Sequence, residues 1–302
     1  MDIVLENAIT FFLIIFLGYL FKAKHIMKKE DGEKIAKIVL NITLPCALIS
    51  SVSQLEVGTT MFLLILSGIC FNVIMLIIGY IMSIKRDKEI QASHMINASG
   101  YNIGNFAIPF AQYFYPGAGI SYISMFDIGN AFMGLGLTYS IASSVVNKEK
   151  GFNIKDIIKK LISSIPFDTY MFIFLISILN IQIPKFIQDI TLRLGNANTF
   201  LSMFMVGLLL DFKIDRSEIK DVLNIIITRN VIAVLLAIGI WIYMPIPLLA
   251  KKMLIICLFS PTTSVAPIFS FKCGYKKDMP AMIGSISMLV SIITMSAIIT
   301  LL

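Results

Sequence analysis

Ala98-Ser99-Gly100-Tyr101-Asn102-Ile103-Gly104-Asn105-Phe106-Ala107-Ile108-Pro109 is the stretch that decides the fold. It lies inside an apolar segment long enough to cross a membrane, yet two Gly, two Asn and one Pro fall between Gly100 and Pro109. Each of these residues weakens a helix, and Pro109 also removes a backbone donor. In hydrocarbon an unpaired backbone group costs several kcal/mol. An interrupted helix therefore survives only where protein or a water-filled cavity surrounds it. A break at membrane depth marks a transport site.

Composition supports the membrane setting. The 302 residues are 57% hydrophobic and 14% charged, and the mean hydropathy is +0.87. A soluble domain carries about 25% charged residues. The net charge of +7 does not point to nucleic acid, because the basic residues sit in short segments between apolar runs, the positive-inside pattern. Cys46, Cys70, Cys257 and Cys273 form no close pair and read as small buried hydrophobes. With His25 and His94 they supply too few ligands for a metal site, and no cofactor is expected. Met1-Asp2-Ile3-Val4-Leu5-Glu6 has no basic n-region, so the first apolar run is expected to stay as a span.

Ten spans are predicted. They are roughly Leu5–Phe21, Ile35–Ser50, Met61–Ile84, Gln91–Phe114, Ile120–Val146, Ile165–Ile181, Ala197–Asp211, Val222–Tyr243, Leu248–Phe271 and Met279–Leu302. Pro116-Gly117 reads as a tight outer turn, Asn147–Ser163 as the longest polar loop, and Pro184–Thr191 as an interfacial connection. The loops after odd spans carry 19 Lys/Arg and those after even spans 4. The odd loops are then cytoplasmic and both termini extracytoplasmic, in the cell membrane.

Ten spans divide into a first five-helix repeat over 1–146, a cytoplasmic loop over 147–164 and a second repeat over 165–302. An odd-numbered repeat inserts its second copy upside down, the plan of many secondary transporters. Span 4 holds Asn105 four residues before Pro109; span 9 holds Thr263 four residues before Pro267, within Ser260-Pro261-Thr262-Thr263-Ser264-Val265-Ala266-Pro267. Matched polar, proline-broken stretches locate such a site.

At span 4 the half-helix after Pro109 is expected to offer free N–H groups and a positive dipole end, which favour an anion. Asn105 adds an amide, and Gly100 and Gly104 allow close backbone approach. The alternative is a structural kink satisfied by a neighbouring helix. Thr262, Thr263 and Ser264 are the second half of the site, or hydroxyls that bond back to their own helix. Asp127 is the only carboxylate well inside a span, about 10 Å from the outer end at 1.5 Å per residue. With Asn130, Gly134 and Thr138 it makes one polar, small face, either a proton or cation site or a structural network. In span 2, Asn41 and Pro45 repeat the Asn-to-Pro offset and predict a kink. Lys37 reads as a snorkelling residue. Arg229 and Asp211 are placed near the cytoplasmic face, where they could pair. No Gly-x-Ser-x-Gly, Walker or His-Glu-x-x-His sequence is present, so no enzyme activity is expected.

Leu44-Pro45, Asn102-Ile103-Gly104-Asn105 through Pro109, Asp127-Ile128-Gly129-Asn130 and the proline-containing span 9 resemble, in order and spacing, the auxin efflux carrier family in its short bacterial form. The resemblance covers essentially the whole chain. It implies an all-α integral membrane fold of two inverted five-helix repeats, similar to bile-acid symporters and sodium/proton antiporters, with broken helices 4 and 9 crossing at the site. It implies organic-anion substrates, auxin in plants and dicarboxylates such as malate or malonate for bacterial members. Asn102, Gly104, Asn105 and Pro109 match the crossover in span 4. Thr263 stands where related carriers often have Asn, with Ser264 and Pro267 beside it. The expected function is a secondary carrier for a small organic anion. The alternatives are a cation/proton antiporter on the same fold and a non-transporting sensor or enzyme. The expected partners are the anion and the lipid bilayer, with no nucleic acid; a homodimer is left open.

Overall fold

The computed structural model describes residues 2–51, 58–147, 154–179, 181–211 and 215–302. Lys148, Lys150 and Lys213, counted above in basic loops, lie outside the described residues. Among the described residues the chain is entirely helical, without a strand.

α1 spans Asp2–Ala23. α2 (Lys29–Ile38) and α3 (Leu44–Ser51) are joined by a π-helical turn over Val39–Thr43. α4 covers Thr59–Met82, and α5 (Lys88–Ala98) leads through a non-helical step into a π-turn over Ile103–Ala107 and α6 (Ile108–Phe114). α7 (Ala118–Phe132) passes through a π-turn over Met133–Leu137 into α8 (Thr138–Val146). α9 (Ile154–Ile162), α10 (Ile165–Ile178), α11 (Lys185–Gly195) and α12 (Ala197–Leu209) follow. Last come α13 (Ile219–Tyr243), α14 (Leu248–Leu258), α15 (Ala266–Lys272) and α16 (Met279–Leu301). Among the described residues four rods are long and apolar enough to cross a membrane: Lys29–Ser51, Thr59–Met82, Ile219–Tyr243 and Met279–Leu301. Large apolar side chains such as Leu66, Ile81, Leu235 and Ile293 point outward from the bundle, as a hydrocarbon solvent allows.

The helices form two groups. α1, α2, α3, α10, α11 and α12 pack mainly on one another, as do α4, α5, α7, α8, α13, α14, α15 and α16; α6 lies between them. Each group has a glycine-seamed pair. A Cβ on Gly18 of α1 would sit 2.2 Å from the Phe204 carbonyl of α12, and one on Gly68 of α4 would sit 2.2 Å from the Phe126 carbonyl of α7. Without apolar solvent exclusion to drive them together, membrane helices associate through such close backbone approach.

Several expectations change. Pro45 does not end span 2, which is helical without interruption from Lys29 to Ser51. The rod runs on because the π-turn, in which Leu44 N–H donates to Val39 O five residues back, absorbs the missing proline donor. Pro109 is handled the same way: Ile108 N–H donates to Ile103 O. The Asn147–Ser163 loop contains α9, whose Ile154, Ile157, Ile158, Leu161 and Ile162 follow helical spacing. Ile157 and Leu161 are buried, with Ile157 against Gly136. The Pro184–Thr191 connection is α11, which starts after Pro184 and packs Gly195 on the Ala47 backbone. Cys70 is exposed rather than buried, because it lies off the face of α4 that carries Leu64, Gly68 and Asn72.

Candidate functional site

The first break is Ser99–Asn102, between α5 and the π-turn, upstream of Pro109. Gly100 takes φ +82°, a conformation that glycine adopts without a Cβ penalty. The groups freed from the helix find side-chain partners. Asn72 of α4 accepts from Gly100 N–H at 2.7 Å and from the Ser99 hydroxyl at 3.1 Å. Asn130 of α7 accepts from Tyr101 N–H at 3.1 Å and donates to Tyr101 O at 2.9 Å. Two asparagines thus replace the missing helical bonds, as an interruption at this depth requires.

The second break runs between Leu258 and Ala266, and it meets the first. Asn102 N–H donates to Pro261 O at 2.9 Å, and the Thr262 hydroxyl donates to Asn97 O at 3.2 Å. A Cβ on Gly100 would fall 2.7 Å from the Thr263 methyl, so a larger residue there would push the segments apart. Behind them, Arg229 of α13 donates to Ala98 O at 2.5 Å, Gly100 O at 3.0 Å and Ser260 O at 3.3 Å.

In front of the breaks lies a cavity of about 630 Å³. Asn102, Gly104, Asn105, Thr263 and Ser264 line it, with Asp127, Asn130, Gly134 and Tyr170 on one wall and Asn41 on another. Lys159, Lys160 and Lys272 stand at its exposed rim. Asp127 is the one carboxylate among the described lining residues. It accepts from Tyr170 Oη at 2.6 Å and from Asn130 Nδ2 at 2.7 Å. The Asn105 Oδ1 atom is buried and has no hydrogen-bond partner.

A family model described as "membrane transport protein" matches residues 3–299. The chain belongs to that family, the auxin efflux carriers. No curated protein matches it. This transport protein is therefore a multi-pass membrane protein.

In this transport protein the residues singled out from sequence separate into two sets. Asn102, Gly104, Asn105, Thr263, Ser264, Asp127, Asn130 and Asn41 share the one cavity. Pro109, Pro267 and Pro45 do not line it. Pro109 is buried in the first turn of α6, where its carbonyl accepts from Thr199 at 3.3 Å, and Pro267 opens α15. Pro267 starts its half-helix just past the second break, where a missing N–H costs least, whereas Pro109 follows the π-turn Ile103–Ala107.

Arg229 is the main correction. It is not paired with Asp211 near the cytoplasmic face: Asp211 lies 3.8 Å from Lys29, while Arg229 is buried behind the crossing. A helix rise of 1.5 Å per residue puts it roughly 10 Å along its span from Val222, the same offset as Asp127 from Ile120. Asn72 was also legible, a polar residue inside the run Ile69-Cys70-Phe71-Asn72-Val73-Ile74. Tyr170 gave no signal, since a tyrosine near a span end is ordinary.

Proposed function

We propose that this transport protein is a secondary carrier for a small organic anion, a mono- or dicarboxylate, working by alternating access in the cell membrane. In this reading its ten spans form two inverted repeats, 1–146 and 165–302, joined by the cytoplasmic segment 147–164, with both termini extracytoplasmic. The observation that carries it is the Asn102 N–H bond to Pro261 O, which joins two interrupted helices at the wall of a largely apolar cavity that carries a few polar side chains. Carrier sites are built where such helices meet. The cavity's size suits a small ligand. Asn105 lines the cavity and would bind a carboxylate through its Nδ2 donors, with the Thr263 and Ser264 hydroxyls beside it. The rim lysines draw anions inward. Because they belong to the loops assigned to the cytoplasm, the cavity opens to that side.

A second cavity supports the alternating part of the reading. It has a volume of about 510 Å³ and lies at the Pro116–Gly117 end of α6, beside Ser51, Gln112 and Thr199. Between the cavities runs a bonded chain: Thr43 to Asn198 at 3.1 Å, Asn198 to Gln112 at 3.0 Å and Gln112 to Gly195 O at 2.9 Å. These bonds tie α6 to the group containing α12. Sliding the groups would open one cavity as the other closes.

The antiporter alternative places its exchanged ion on Asp127. Both carboxylate oxygens there already accept hydrogen bonds, and the rim charge is positive, so the anion reading is preferred. Counterflow in liposomes with a panel of mono- and dicarboxylates tests it. Wild type is expected to exchange at least one acid, and Asn105→Ala to lose that exchange while eluting as folded protein. Unchanged exchange in Asn105→Ala would sink the site assignment. Failure of wild type with every acid would sink the carrier reading.

A further inference from the structure

Arg229 presents an uncommon balance of charge. Its side chain is 7% exposed, and among the described residues no carboxylate lies within 4.0 Å of it. An ionised side chain at this depth is costly and needs partners. The partners are backbone carbonyls. Nη1 donates to Ala98 O and Gly100 O, Nη2 donates to Ser260 O, and the guanidinium carbon lies 4.9 Å from the Tyr101 ring centroid.

Those carbonyls share one chemical character. Ala98 ends α5, and Ser260 follows the end of α14 at Leu258. Both helix dipoles therefore leave partial negative charge at this point. Gly100 O belongs to the unwound step between half-helices. Unwound carbonyls and half-helix C-terminal ends are the oxygen ligands that hold alkali cations in many carriers with interrupted helices. Here a planar fork of five donors, charged at any working pH, occupies them. Tyr101 covers its face with a cation–π contact and separates it from the cavity, which the tyrosine also lines.

We propose that Arg229 is a tethered cation standing where a mobile alkali cation would otherwise join the two breaks. The crossing is then assembled without sodium, and Arg229 is a positioning residue for the substrate side of Asn102 and Thr263. The transport consequence rests on the anion-carrier reading; the structural consequence does not. A guanidinium that only filled space would leave no cation site behind when removed. A tethered cation leaves a ring of carbonyls that a free cation can enter.

The test uses the purified full chain in detergent, with Tm read in sodium chloride, in choline chloride, and in choline chloride plus methylguanidinium. Wild type is expected to show the same Tm in all three. Arg229→Ala is expected to fall by roughly 5 °C or more in choline, from the loss of three charged hydrogen bonds, and to regain at least half of that loss in sodium or methylguanidinium. Arg229→Gln supplies a shorter, uncharged side chain with two amide N–H donors, and provides the same comparison if the alanine variant does not fold. A variant equally destabilised in all three media would overturn the proposal, and so would a wild type that needs sodium for its Tm. In liposomes, exchange by wild type is expected to survive replacement of sodium by choline; a sodium requirement would overturn it. The Tm readings need no substrate, so a failed acid panel would strike the carrier reading alone.

Discussion

Replacing Asn130 by alanine tests whether the first break is held by side chains rather than by its own conformation. Asn130 makes four hydrogen bonds: it accepts from Tyr101 N–H at 3.1 Å and Asn72 at 3.1 Å, and donates to Tyr101 O at 2.9 Å and Asp127 at 2.7 Å. Alanine keeps the helix and removes all four. A buried group left unpaired costs about 1–3 kcal/mol, whereas polar pairs inside membrane proteins average only about 0.6 kcal/mol by double-mutant cycle. Tyr101 and Asp127 line the cavity, so water can take over part of what they lose. The loss is therefore placed at about 2–5 kcal/mol. The control is Ser124→Ala on the same helix, a buried hydroxyl whose one recorded bond runs back to Ile120 O at 2.7 Å; its cost is below about 1 kcal/mol. Thermal unfolding of the detergent-purified proteins measures both. Asn130→Ala with Asn72→Ala should be less than additive, because the two asparagines hold adjacent residues of one break and bond each other. An Asn130→Ala Tm no lower than that of Ser124→Ala would refute the reasoning: the break would then be stable without its asparagine.

Gly68→Ala is expected to cost about 1–3 kcal/mol by overpacking, because the new methyl would meet the Phe126 carbonyl at 2.2 Å; Gly134→Ala, with nothing within 4 Å of its Cβ, is expected to leave Tm unchanged in the same assay. Tyr170→Phe removes one of the two donors on Asp127 and is expected to cost about 1–3 kcal/mol, reduced by cavity water. If Asp127 couples protons to transport, Asp127→Asn should abolish uptake driven by a pH gradient; a normal response would make Asp127 structural. Lys159→Gln with Lys160→Gln is expected to slow initial anion uptake more at low ionic strength than at high, because rim charges act through a screened field; equal slowing at both would remove them from capture.

The sequence carried the membrane class because the solvent imposes it. Hydrocarbon demands long apolar helices, and both the composition and the basic segments between runs report that demand. It also carried the first break, since Gly100, Asn102, Gly104 and Asn105 each disfavour helix locally. It misjudged where helix stops. Prolines were read as the breakers, yet Pro45 and Pro109 each follow a π-turn that lets the chain continue helically, an accommodation that depends on neighbours. α9 was hidden because its five apolar residues are interleaved with four charged ones inside a longer polar segment, although the stripe's spacing was there to be counted.

What the sequence by itself determined is a list of polar groups at membrane depth, each too costly to be idle in hydrocarbon. Only the tertiary structure decided which of them meet. Asn105, Thr263 and Asp127 face one cavity although as many as 158 positions separate them, and Arg229 turns from a supposed surface cation into the group that binds both breaks from behind. The reason is physical. Local chemistry fixes where a helix is weak, but the partner that repairs the weakness comes from another helix, and a periodic pattern along one chain says nothing about which helix that is.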